Sequence, residues 1–231
     1  MSLRERAEAL MIGGLVGDTS PELQRLSFML YRLLAEGDPV DRPALAEACE
    51  LTPDETEALL AEIPDSAMVW ETESIVAFGG LSLRSSDHAF EIAGRRLHTW
   101  CVFDGLFLPG ILGHRARITT RCPATDSAIE VEVGPAFLGT SRPANPLMSI
   151  VAPGLADCAR DLRGVFCHHV RFFVSAEAFA DWAGERDDIA RLSLTEAFDL
   201  AGRRNAHRFA AAGDHGPQPE RSAFKTKGKY P

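Results

Sequence analysis

The chain has no run near the roughly 20 consecutive apolar residues that a membrane-spanning helix requires, so nothing in it is expected to sit in a bilayer. It also lacks a surplus of positive charge. Its formal charge is −9, which argues against a nucleic-acid partner, because Lys and Arg contacts to phosphates supply most non-specific affinity. There is no Cys-x-x-Cys pair. The five cysteines, Cys49, Cys101, Cys122, Cys158 and Cys167, are odd in number and scattered over a long chain. That pattern fits neither a disulfide scaffold nor a closed zinc knuckle, and it points to reduced thiols and a cytoplasmic setting. Ala9 to Gly17 imitates a signal-peptide core, but Glu5 and Glu8 interrupt the basic start and Gly13-Gly14 splits the run, so secretion is not expected. No internal repeat is visible.

What the chain does have is 231 residues with 45% hydrophobic content, enough for one large domain or a small domain docked on a medium one. From Pro21 to Glu36, Leu23, Leu26, Met29, Leu30, Leu33 and Leu34 recur at three- and four-residue spacing behind a Thr-Ser cap, predicting an amphipathic helix. Asp41 opens a second helix through Cys49, and Thr52-Pro53-Asp54-Glu55 opens a third. Ala67–Trp70 and Ile75–Phe78 read as two short strands. Three helices followed by a hairpin outline a winged helix over residues 1–80. A DNA-binding role conflicts with the third helix, where Asp54, Glu55, Glu57, Glu62 and Asp65 stand without a single Lys or Arg.

From residue 81 to 202 the pattern is mixed, so the fold class is α+β, with the winged-helix-like part followed by a mixed-sheet catalytic domain. Phe90–Ala93 reads as a strand, Leu97–Leu112 as a buried helix, and Ala116–Thr120 with Ala128–Val133 as a hairpin. Leu147–Val151 and Val165–Val174 read as further strands, with Ala176–Gly184 and Leu194–Ala201 as short helices. Residues 203–231 turn polar and are expected to form a largely disordered tail.

Two segments carry chemistry. In Trp100-Cys101-Val102-Phe103-Asp104 the thiol and carboxylate are three residues apart and share a face if the segment is helical. This is either a thiolate beside a proton carrier or a buried Cys acting as a small hydrophobe next to a capping Asp. In Val165–Phe173 an apolar strand is interrupted by Cys167, His168 and His169, with Cys167 and His169 on one face by alternation. The remaining histidines show no ligand spacing near a cysteine, so a structural zinc is not expected.

Together these segments resemble the organomercurial lyase (alkylmercury lyase) family over about residues 23–198. The ordered matches include Phe90-Glu91-Ile92, Arg95-Arg96-Leu97, Trp100-Cys101-x-x-Asp104, Phe107-x-Pro109, Arg115-Ala116-Arg117 and Cys122-x-Ala124-Thr125. Phe166-Cys167-x-His169-Val170-x-Phe172-Phe173 and Asp181-Trp182-Ala183 complete them. The resemblance implies an enzyme of mercury detoxification that splits the carbon–mercury bond of organomercurials by protonolysis. Cys101, Asp104 and Cys167 match the catalytic set, with the same three residues contacting mercury transiently as substrate or product. No cofactor is implied. A low-molecular-weight thiol would be co-reactant and a mercuric reductase the acceptor of Hg(II).

Cys122 matches a cysteine taken as structural, Cys49 and Cys158 match nothing informative, and a frequent Cys-Cys-His-Val reads Cys167-His168-His169-Val170 here. Two alternatives stay open: a fold relative that merely binds metal through thiols, and a metal-sensing winged-helix regulator.

Overall fold

The computed structural model describes residues 1–14 and 20–212. Helix α1 (Leu3–Ala9) is capped by Ser2 and runs into a π-helical turn at Leu10–Gly14. Helix α2 (Pro21–Ala35) begins at Ser20, whose hydroxyl accepts the Leu23 N–H at 3.1 Å, with Pro21 in the first turn. Leu23, Leu26, Leu30 and Leu34 are all buried while Glu22 and Arg32 are exposed, the outcome expected of that spacing.

A short strand β1 (Val40–Asp41) precedes α3 (Arg42–Cys49), capped by the Asp41 carboxylate, which accepts the Ala44 N–H at 2.8 Å. Helix α4 (Pro53–Ala61) starts in a reciprocal capping box between Thr52 and Glu55. Strands β2 (Met68–Glu71) and β3 (Ser74–Phe78) follow as an antiparallel hairpin, and β1 pairs with β3. The three helices and two strands expected over this stretch are therefore present.

Strands β4 (Leu81–Ser82), β5 (His88–Ile92) and β6 (Arg95–Thr99) continue the same sheet through Gly79 and Gly80. Helix α5 (Val102–Leu112) then leads to β7 (Ala116–Arg121), β8 (Ala128–Val133) and β9 (Leu138–Arg142). The nine-stranded sheet runs β1-β3-β4-β6-β5-β7-β8-β9, with β2 on β3. A second sheet, ordered β11-β10-β12, is built from β10 (Leu147–Val151), β11 (Phe172–Phe173) and β12 (Ile189–Ser193). Helix α6 (Leu155–Val165) and a 3₁₀ turn at Cys167–His169 connect β10 to β11; α7 (Ala176–Ala183) precedes β12 and α8 (Leu194–Arg208) follows it.

Helix α5 is apolar all round because it is enclosed, with β5 to β8 on one side and α2 and α8 on the other. Every residue from Val102 to Pro109 is buried. Among the described residues no helix is long and apolar enough to cross a membrane.

The α+β class holds, with three corrections of detail. Leu97–Thr99 belongs to β6 rather than to the buried helix, since alternating burial and pairing with β5 override the apolar run. Val165–Val174 is not a strand. The end of α6, the 3₁₀ turn and only two strand residues occupy it, because the turn closes on its own backbone bonds and the Ser149 hydroxyl takes the His169 carbonyl and the Arg171 N–H before pairing with β10 begins. Helix α8 runs on to Arg208, past the start of the expected polar tail; residues 213–231 lie outside the described residues. Helices α1 and α6 and strands β1, β4, β9 and β12 are elements that the sequence patterns do not predict.

Candidate active site

Cys101 is the N-cap residue of α5, extended at φ −144° and ψ 173°, and Asp104 is the third residue of the helix. The pair therefore meets not across one helix face, as the spacing suggested, but through capping: the Cys101 N–H donates to Asp104 Oδ2 at 2.8 Å. This bond orients the carboxylate toward the thiol that precedes the helix.

Cys167 arrives from the other end of the chain on the 3₁₀ turn. Ser149, wholly buried in β10, holds that turn: its hydroxyl donates to the His169 carbonyl at 2.7 Å and accepts the Arg171 N–H at 2.9 Å. His169 does not share a strand face with Cys167, because no strand exists there. The outcome is a cluster in which one ligand atom each from Cys101, Asp104 and Cys167 lies within 4.8 Å of the others. Among the described residues this is the one such group of three able to hold a metal ion. All three are enclosed, at 0%, 7% and 4% exposure.

Enclosure sets the protonation states. Burial drives the Cys101 thiol well above its ordinary value, helped by a hydrogen bond shared with Cys167 and by the Asp104 charge. For Cys167 that hydrogen bond works downward, but burial and Asp104 carry the thiol above its ordinary value. Burial pushes the Asp104 carboxyl up to about 6, against the Cys101 N–H bond and the Arg204 charge that pull it down. The resting site thus holds two protonated thiols beside a carboxyl poised to exchange a proton near neutral pH.

Several neighbours were not singled out in the sequence. Tyr31 on α2, Gly79 and Gly80 between β3 and β4, and Arg204 on α8 stand behind Asp104. Arg163 of α6 lies over the Trp100 ring at 5.6 Å and its charge bears on Cys167. The paired glycines were the one legible signal, since consecutive glycines mark backbone that must adopt positive φ or approach closely. Arg204 carried none.

The other cysteines are free and buried. Cys158 lies on α6, where burial and then the Cys167 charge raise its thiol. Burial alone would raise Cys122, but hydrogen bonds from Thr125 and from the Val174 and Ala124 backbone leave it lowered.

The alkylmercury lyase family model matches residues 81–204. An alkylmercury lyase of Pseudomonas putida is 34% identical over 193 residues, covering 84% of this chain and 88% of the relative. One from Streptomyces lividans is 33% identical over 198 residues, covering 86% and 88%. A solved structure, the mercury-bound form of MerB2, superposes with a TM-score of 0.72 at 20% identity over 90% of this chain and 98% of that one, which is likeness of fold. Sequence and family model agree, and this chain belongs to the alkylmercury lyase family.

Proposed function

We propose that this chain cleaves the carbon–mercury bond of organomercurials, with Cys101 and Cys167 as the mercury ligands and Asp104 as the proton carrier. The observation that carries this reading is the convergence of two buried thiols and one carboxyl within 4.8 Å. Mercury is a soft cation, so thiolates outcompete oxygen and imidazole donors for it. Binding to the metal deprotonates a thiol, and the raised thiols of this site arrive carrying their protons.

The substrate reaches the site as R–Hg bound to a low-molecular-weight thiol. Cys101 or Cys167 displaces that thiol, which leaves with one proton, and a sulfur–mercury bond replaces another. The second cysteine then closes on mercury and passes its proton to Asp104. Electron density from two thiolates weakens the Hg–C bond, and its electron pair takes the proton from Asp104. R–H leaves; Hg(II) stays on the two sulfurs, with the Asp104 carboxylate free to contact it. Two thiol protons enter and two leave, one in R–H and one in the released thiol, so the balance closes. A carboxyl near 6 suits this relay, as it accepts from a thiol and gives up readily to a carbanion-like carbon.

Around that core we place a winged-helix-like segment over residues 1–80 as scaffold for a catalytic part over 81–202, a cytoplasmic setting, and a mercuric reductase as acceptor of Hg(II). A regulator that reads DNA is not favoured, because Asp54, Glu55 and Glu57 make the start of α4 acidic.

Phenylmercury supplied with excess thiol in D₂O tests the chemistry. The expected products are benzene bearing one deuterium and an equal amount of Hg(II) bound to thiols. Phenylmercury bound intact, with no benzene released by the folded and reduced protein, would reduce the chain to a mercurial binder.

A further inference from the structure

The wall behind Asp104 is made of backbone with no side chain. Gly80 sits at φ +103°, and a Cβ built on it would fall 2.3 Å from Asp104 Cγ and 2.4 Å from Oδ1. The carboxyl group therefore rests against the Gly80 α-carbon, at a distance that no other residue permits. Gly79, at φ +52°, is pressed from the opposite side: a Cβ there would lie 2.1 Å from the Tyr31 hydroxyl oxygen. That hydroxyl donates to the Gly79 carbonyl at 2.8 Å. On the far side of the pair, Gly80 accepts the Trp100 N–H at 2.9 Å, one residue before Cys101. The Gly79 N–H in turn donates to the Ala67 carbonyl at 2.9 Å.

The two glycines are thus held by three hydrogen bonds between a buried tyrosine and the reactive carboxyl. Tyr31 is 2% exposed and packs its ring on Phe78 at a centroid distance of 4.9 Å. Its hydroxyl also lies within reach of the Arg204 guanidinium, which stacks 3.6 Å from the Phe107 ring centroid, on the same helix as Asp104. One residue of α2 and one of α8 therefore converge on the strip of main chain that backs the acid.

Resting on the lyase reading above, we propose that Tyr31 is a positioning residue, clamping Gly79-Gly80 so that the Gly80 α-carbon fixes the Asp104 carboxyl between the two thiols. The thiols have their own supports, and the one link from the clamp toward either of them is the Trp100 N–H bond to Gly80, one residue before Cys101. Cys101 is placed by the α5 N-terminus and Cys167 by Ser149, so the clamp governs proton delivery and not mercury capture. A misplacement of about 1 Å at a reacting group can cost roughly 100-fold in rate, whereas ligands left in place keep their affinity.

The test uses the full chain and three variants: Tyr31→Phe, Gly80→Ala and, as control, Thr56→Ala. Thr56 is as buried as Tyr31, and its hydroxyl bonds only within the first turn of α4. Benzene release from phenylmercury with excess thiol gives kcat and KM; titration with mercuric chloride gives the mercury retained per chain. Tyr31→Phe is expected to lower kcat about tenfold or more, with KM and mercury retention unchanged within about twofold. Gly80→Ala is expected to lower kcat further, and Thr56→Ala to lower only the melting temperature.

The amide proton of Cys101 supplies a readout that needs no turnover, because it donates directly to Asp104 Oδ2. Its NMR resonance should move in Tyr31→Phe and stay in Thr56→Ala. A wild-type kcat in Tyr31→Phe with an unmoved Cys101 amide would overturn the clamp. An equal loss of mercury retention and kcat would overturn it as well, by placing Tyr31 in the general support of the site. Absence of benzene from the wild type would count against the lyase reading alone, since the amide shift would still report whether Tyr31 positions the carboxyl.

Discussion

Replacing Asp104 by Asn should make the protein more stable at neutral pH while abolishing turnover. The carboxyl is raised from 3.8 to about 6 by burial, so ionising it in the fold costs more than ionising it in the unfolded chain. Roughly two pH units at about 1.4 kcal/mol each give about 3 kcal/mol. Between pH 4 and 6 the folded state binds the extra proton, so this group's contribution to stability falls as pH rises through that window. The neutral amide of the Asp104→Asn variant would carry no such cost, and its oxygen can still accept the Cys101 N–H.

His88 tilts the wild type the other way. Burial first, then the Arg171 charge, lowers it from 6.5 to about 4. Its contribution is fully present above pH 6.5 and is lost as pH falls toward 4, again by about 3 kcal/mol. In the wild type the two slopes oppose each other over much of the same range. Urea unfolding of wild type and Asp104→Asn from pH 3.5 to 8 should therefore give curves that coincide at the acid end. They should separate between about pH 4 and 6 and run about 3 kcal/mol apart above it. A difference independent of pH, or a variant less stable than wild type at pH 7, would refute the reasoning.

Cys101→Ala and Cys167→Ala should each lose tight retention of mercury in an equilibrium titration while keeping the wild-type circular dichroism spectrum. Asp104→Ala should retain phenylmercury and release no benzene; full turnover without that carboxyl would remove its relay role. Ser149→Ala strips partners from the half-buried His169 carbonyl and Arg171 N–H, so it should cost about 1–3 kcal/mol in urea unfolding and loosen mercury retention through Cys167. Arg171→Met removes the charge 3.1 Å from His88 Nε2, so the His88 ring should titrate at higher pH by NMR.

Much of the first eighty residues was legible because caps and periodicity are local. Ser20, Asp41 and Thr52 cap the helices they were expected to open, and the Leu spacing of α2 marks its buried face. The reactive residues were legible mainly as a family resemblance, since the run from Leu97 to Leu112 is mostly apolar, broken only by His98, Thr99 and Asp104, and gives no clear period by which to separate the end of β6 from α5. The segment around Cys167 was misread for a different reason. Alternation in Val165–Phe173 imitates a strand, but the backbone there closes into a turn that a serine hydroxyl from β10 pins at His169, a contact made across 20 residues of sequence. Tyr31 and Arg204 were out of reach in the same way, and the Gly79-Gly80 pair signals only unusual backbone, because what matters about them is which atom they face after α2 and α8 have docked on α5.

The most direct measurement is headspace detection of methane from methylmercury with excess thiol, for wild type and Cys167→Ser side by side. Methane from the wild type alone is the expected result, since protonolysis needs both thiols and the carboxyl that lie within 4.8 Å. No methane from a folded, reduced wild type, or equal methane from Cys167→Ser, would contradict the two-thiol account.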